Sequence, residues 1–212
     1  MTEIGQHQGA LASAGETIAP RHHGDLLIAG PLRLRKGRVH EVLGDSADMF
    51  AIIVASRLSG HVVWIGPAHD VESLAPTALQ AFLDPARIIL TVGTTRNEVL
   101  WAGEQALRAP GSCCVVMELR DGPDLTASRR LQIAAEETGA LGLTLISGRA
   151  HTSAAQTRWV CTAVETPAGG WHWRCIKSRQ GDLGAWHVTW SGGEDGKPWK
   201  TGTLHLAAAP SP

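Results

Sequence analysis

Gly37-Arg38-Val39-His40-Glu41-Val42-Leu43-Gly44-Asp45-Ser46-Ala47-Asp48-Met49-Phe50-Ala51 is the stretch on which the reading of this chain turns. Arg38–Leu43 has the residue types of a strand. Gly44-Asp45-Ser46 supplies a turn and a cap, and the apolar run from Met49 to Ala55 falls within a helix expected over Ala47–Leu58. A strand, a glycine turn and a helix in that order are the opening unit of an α/β nucleotide-binding fold.

Downstream of that unit the alternation continues. Strands are expected at His61–Ile65, Arg87–Val92, Ser112–Leu119 and Leu141–Ile146. Helices are expected at Glu72–Phe82, Thr95–Arg108 and from a cap at Asp124 or Thr126 to about Thr138. Strands that are apolar on both faces and alternate with helices predict a parallel sheet covered by helices. After Gly148 the helices stop. Thr157–Glu165, Trp171–Arg179 and Trp186–Trp190 read as antiparallel strands, the second with a two-residue alternation. The expected fold is therefore α/β, with a mixed, mostly parallel sheet flanked by helices and antiparallel Trp-rich strands at the C-terminal end. Residues 1–24 are expected to form a flexible tail, 25–191 the domain, and 192–212 a loose tail.

Composition narrows the function classes. The 212 residues carry a net charge of −1, so no global basic character points to nucleic acid. Apolar residues make up 43% and charged residues 18%, which with recurring apolar blocks indicates a packed core rather than disorder. No apolar run approaches the ~20 residues of a membrane span. Four cysteines (Cys113, Cys114, Cys161, Cys175) show neither a disulfide framework nor metal spacing. His22, His23, His40, His61 and His69 offer no ligand pair at helical spacing. The expectation is a reduced, cytoplasmic protein with no metal and no membrane contact.

A phosphate loop needs glycines, a lysine for the β/γ-phosphates and a hydroxyl for magnesium. In the opening unit only Gly44 remains. The segment Gly37–Gly44 resembles the entry to the first core strand of RecA-type recombinases. Aligned on Gly44, that resemblance puts Met49 at the second loop glycine, Phe50 at the lysine and Ala51 at the hydroxyl. Asp45 and Asp48 would face the phosphates and repel them. It also puts Ala68 near the catalytic glutamate and Glu118 at the metal-supporting carboxylate. This implies a RecA-like core with a degenerate nucleotide site, no bound cofactor and no hydrolytic activity.

A narrower resemblance is to ImuA-type proteins. It is carried by Leu125-Thr126-Ala127-Ser128-Arg129-Arg130-Leu131-Gln132, by Ser153-Ala154-Ala155-Gln156-Thr157-Arg158-Trp159, by Leu83–Arg87, by Leu100–Arg108 and by the Trp-rich strands. It covers roughly residues 36–191. It implies a non-catalytic accessory of DNA-damage-induced (SOS) mutagenesis and translesion synthesis. Such a protein works with an inactive Y-family polymerase relative of the ImuB type, an error-prone DnaE-type polymerase and the RecA recombinase. It reaches DNA directly or through those partners, and self-association is also implied.

Two other readings of the residues stand beside this one. Six of the eight tryptophans follow residue 158, and Trp171 and Trp173 with Arg158, Arg174, Lys177 and Arg179 could stack and grip single-stranded DNA. The same tryptophans could instead form a local core. Arg129 and Arg130 could meet phosphate or an acidic partner, or lie on a solvated helix face paired with Glu136 or Glu137. Lys36 could replace the lost loop lysine in a residual nucleotide site. Finally, the connections Leu119–Pro123 and Ser147–Ser153 are short for a filament-type DNA grip.

Overall fold

A computed structural model of the chain describes residues 23–74, 79–165, 169–181, 183–192 and 202–209. Eleven strands are described: β1 (Asp25–Ala29), β2 (Leu32–Arg35), β3 (Val39–Leu43), β4 (His61–Gly66), β5 (Ile88–Val92), β6 (Ser112–Leu119), β7 (Leu141–Ile146), β8 (Thr157–Ala163), β9 (Trp171–Ser178), β10 (Gly184–Ser191) and β11 (Thr203–Ala208). Four helices accompany them: α1 (Ala47–Ser56), α2 (Ala68–Ser73), α3 (Arg96–Arg108) and α4 (Leu125–Thr138).

Nine strands form one sheet in the order β11-β10-β9-β8-β3-β7-β6-β4-β5. The run from β8 through β5 is parallel, and β9, β10 and β11 extend it antiparallel. The expected mixed, mostly parallel α/β architecture is present. β3 is fully central, with Glu41 paired to Arg158 on one side and to Thr144 on the other. The chain leaves β3 toward β4 and later returns to its other flank as β8, so the strand order switches direction at β3. Ligands of open α/β sheets bind outside the carboxyl ends of strands at such a point.

The sheet has two differently built faces. One is covered by the β1–β2 hairpin, α1 and α2, and its core joins Leu26, Leu34, Phe50, Ile53, Trp64, Trp159 and Trp173. The other is covered by α3 and α4 around Val99, Leu107, Met117 and Leu131. Sequence explains the helix ends. Thr95 and Glu98 form a reciprocal capping box at the start of α3. Asp124 caps α4 by accepting from Ala127 N at 2.8 Å, and Gly139 closes it in the left-handed conformation at φ 83°.

Three expectations are corrected. Residues 25–35, to which the sequence pattern gives no element, form a hairpin, because Leu26, Ile28, Leu32 and Leu34 alternate inward and cap the Trp-rich strands. The C-terminal tail contains β11, which pairs along β10 from Ser191↔Thr203 to Trp186↔Ala208 and buries Leu204. The helix expected over Glu72–Phe82 is not one element: α2 starts earlier, at Ala68, and ends at Ser73, with Leu74 out of helical conformation, and residues 75–78 lie outside the described residues. Residues 1–22 of the expected N-terminal tail lie outside them as well.

Candidate functional site

The β3–α1 junction is tight. Gly44 takes φ 102°, and a Cβ there would meet the Cys161 carbonyl oxygen at 2.0 Å, so only glycine lets the turn lie against β8. Ser46 N donates to Cys161 O at 3.2 Å, and Asp45 Oδ1 accepts from Ala163 N at 2.9 Å and from Ser46 Oγ at 3.0 Å. Helix α1 then starts at Ala47, leaving only Gly44, Asp45 and Ser46 between strand and helix. A phosphate cradle needs a longer loop whose backbone amides converge on the anion.

Residues aligned with the phosphate-loop chemistry therefore lie within the helix. Phe50 is fully buried, with its ring centroid 4.7 Å from that of Trp173 and 5.4 Å from that of Trp159. Ala51 is buried and Met49 half-buried. Asp48 is exposed in the first turn, where its carboxylate satisfies Met49 N at 2.8 Å. Negative side chains at a helix N-terminus offset the dipole that would otherwise favour an anion.

Beyond this turn lies a cleft of about 330 Å³ at the carboxyl ends of β3, β6 and β7. Four carboxylates line it: Asp45, Asp48, Asp70 and Glu118. Trp64 Nε1 donates to Glu118 Oε1 at 2.8 Å, while Glu118 Oε2 is enclosed with no partner among the described residues. Burial, reinforced by Asp70 and Asp48, pushes the Glu118 carboxyl up to about 7, against the opposing Trp64 bond. Near neutral pH it is thus partly protonated. Asp70 was not singled out from sequence, because its approach depends on how α2 packs after β4.

The loops around the cleft are tied to one another. Ser147 N donates to Leu119 O at 3.1 Å, Gly148 N to Arg120 O at 2.7 Å and Gly122 N to Arg149 O at 2.9 Å. Arg96 adds bonds to the carbonyls of Asp121 and Gly122.

Lys36 is placed at the opposite end of β3 from this cleft. The five residues of β3 rise about 3.3 Å each, so roughly 17 Å of strand separates Lys36 from the Gly44 turn. The residual-site reading based on Lys36 is corrected on that ground.

The candidate DNA or partner contacts divide into buried and exposed groups. Arg158 Nε donates to Glu41 Oε2 at 2.6 Å, and its guanidinium also bonds the His151 carbonyl. Glu41 is 1% exposed, so Arg158 is committed to a buried ion pair. Trp173 is buried, and Trp171 packs on Phe82 with centroids 6.1 Å apart. Lys177 Nζ donates to Ser153 O at 2.8 Å, and burial lowers its pKa. Arg130 pairs with Glu104 at 2.6 Å rather than with Glu136 or Glu137, which pair with Arg38 and Arg108. Arg129, Arg174 and Arg179 are exposed. The tryptophans of β8 and β9 thus point into the core because β1–β2 and α1 lie over that face, a cover the sequence reading lacked.

All four cysteines are free thiols, and Cys114, Cys161 and Cys175 are buried. Among the described residues no helix is long and apolar enough to cross a membrane, and no group of His, Cys, Asp or Glu has the arrangement of a metal site.

No protein-family profile matches the chain. It is similar to Protein ImuA of Caulobacter vibrioides, with 37% identity over 92 residues, in each of two strains. That stretch is 43% of this chain and 36% of the Caulobacter protein, so the chain spans about a third of the length of the curated relatives it matches. The resemblance to ImuA-type proteins is supported over that stretch.

Proposed function

We propose that this chain is a non-catalytic, RecA-like adaptor in DNA-damage-induced mutagenesis. In this reading it joins an inactive Y-family polymerase relative of the ImuB type to an error-prone DnaE-type polymerase, and engages the recombinase. The observation that carries the reading is the inverted chemistry of the β3–α1 junction. Where a nucleotidase keeps a lysine, this chain buries Phe50, and where phosphates would sit it gathers four carboxylates. The similarity to Protein ImuA supports placing that core in mutagenesis. With no cation to neutralise a triphosphate, the cleft repels it, so the chain acts by binding.

The sheet edge supports a binding role as well. β5 pairs only with β4 among the described residues, and Ile89, Leu90 and Val92 are 47%, 49% and 52% exposed. An edge strand with exposed apolar side chains is suited to strand addition by a partner or a second copy. The single-stranded DNA reading through the Trp-rich strands is weaker. Trp159 and Trp173 are buried, and Trp171, Trp186 and Trp190 pack against that core.

The test is a tagged pull-down from DNA-damaged cells, with and without nuclease. Recovery of an inactive Y-family relative or an error-prone polymerase that survives nuclease is the expected result. Recovery only without nuclease would make DNA the bridge, and recovery of neither would overturn the adaptor reading.

A further inference from the structure

At the amino ends of β3 and β8, on the side away from the acidic cleft, α4 presents a stripe that the rest of the fold leaves open. Arg129, Gln132, Ile133 and Glu136 follow at spacings that put them on one helix face. The opposite face, with Leu131, Ala134 and Ala135, is buried against the sheet. Arg35 and Arg38 from the β2–β3 connection, Arg179 after β9 and Gln156 before β8 complete a groove of about 400 Å³.

Its chemistry is specific. Gln132 is occupied: its amide brackets Val39, accepting from the backbone N at 3.2 Å and donating to the carbonyl at 2.8 Å. Arg38 is held bidentate by Glu136, at 2.7 and 2.9 Å, which fixes that wall. Arg129 and Arg179 are exposed and make no side-chain bond among the described residues. Ile133 stands between the basic walls at 54% exposure. Beneath them lies Gln156, only 6% exposed, on the floor of the groove.

We infer that this groove is a docking site for an acidic protein segment. The segment would set an apolar side chain on Ile133 and carboxylates on Arg129 and Arg179. Four arginines against one glutamate leave the groove a net cation, complementary to such a segment. A protein is favoured over single-stranded nucleic acid by two features. No aromatic side chain lines the groove for base stacking. The centre of the groove is aliphatic and suits a side-chain anchor. This refines the adaptor reading and rests on it only for which protein carries the segment.

The test is selection of a phage-displayed random dodecapeptide library on the immobilised full chain. Selected peptides are then measured by fluorescence anisotropy against wild type, Arg129→Glu/Arg179→Glu and Ile133→Ser. The expected peptides pair carboxylates with a large apolar residue. They should lose roughly tenfold or more in affinity on the double reversal, and less on Ile133→Ser. Circular dichroism of each variant guards against unfolding, and Arg129→Gln/Arg179→Gln gives a milder second readout with the same direction. Enrichment of nothing, of non-acidic peptides, or of peptides that bind the double reversal equally well would overturn the proposal. So would a labelled oligothymidylate that outcompetes the selected peptides and depends on the same arginines. Because the probe is a peptide, a failed pull-down in cells with a successful selection would sink the polymerase partners and not the groove.

Discussion

The two ends of the parallel sheet carry opposite chemistry. At the carboxyl ends, where α/β folds hold their ligands, Asp45, Asp48, Asp70 and Glu118 line a cleft around a three-residue turn. At the amino ends of β3 and β8, Arg35, Arg38, Arg129 and Arg179 surround Ile133. The difference teaches that one sheet can present opposite charge at its two ends. In this account binding has moved to the other end. Function follows the side chains at each end rather than the architecture that connects them.

The largest expected effect comes from trying to rebuild a phosphate site. Phe50→Lys restores the residue type at the aligned position, but the side chain points between Trp159 and Trp173. The expected outcome is destabilisation by about 4 kcal/mol in urea unfolding, with no gain of nucleotide binding. A stable variant that binds ATP would erase the contrast between the two ends.

Arg158→Ala sharpens the basic side of the comparison. Removing it leaves Glu41 buried and unpaired, so a loss of about 3 kcal/mol is expected. Arg129→Glu, on the open groove, should change stability by no more than about 0.5 kcal/mol. Equal effects from the two would show that Arg158 is no more structural than the groove arginines.

Glu118→Gln probes the acidic end more gently. Its folded carboxyl titrates at about 7, above the ordinary 4.5. Between those values the folded state holds the proton that the unfolded state has released. Stability from this group is therefore present at low pH and lost as pH rises through about 7. Glutamine can still accept from Trp64 and never ionises. The variant should match wild type near pH 4 and exceed it by about 1 kcal/mol at pH 8, after allowance for the partly exposed site. A parallel pair of stability–pH curves would contradict the assignment. His40 acts in the opposite sense. Its ring is buried between Thr157 Oγ1 and the Arg35 carbonyl, and burial lowers its pKa to about 4. Below about 6.5 the unfolded chain takes up a proton that folded His40 refuses, so stability falls with acid from there toward pH 4.

The parallel half was legible because its signals are local. Two-sided apolar strands such as Leu141–Ile146 and the caps at Thr95 and Asp124 are written in consecutive residues. The β1–β2 hairpin and β11 were not, because their assignment depends on what they cover. Leu32 and Leu34 alternate with Arg33 and Arg35, a pattern that reads equally as a basic lead-in until the Trp-rich face below is known. The same gap explains the sites. The residues that the resemblance aligns with a phosphate loop, such as Met49, Phe50 and Ala51, could be read one by one. Asp70, on α2, and Gln156, just before β8, are separated by many residues from their neighbours in the cleft and the groove. Arg129 and Arg179 could be read from sequence as contact candidates, but only the fold brings them together beside the exposed Ile133.

The most direct test of the central claim is equilibrium dialysis of the full chain against magnesium ATP. The account predicts no saturable binding up to about 1 mM, because the acidic cleft has neither a lysine nor a phosphate cradle. Saturable binding at micromolar concentration, abolished by altering Asp45 or Asp48, would contradict it.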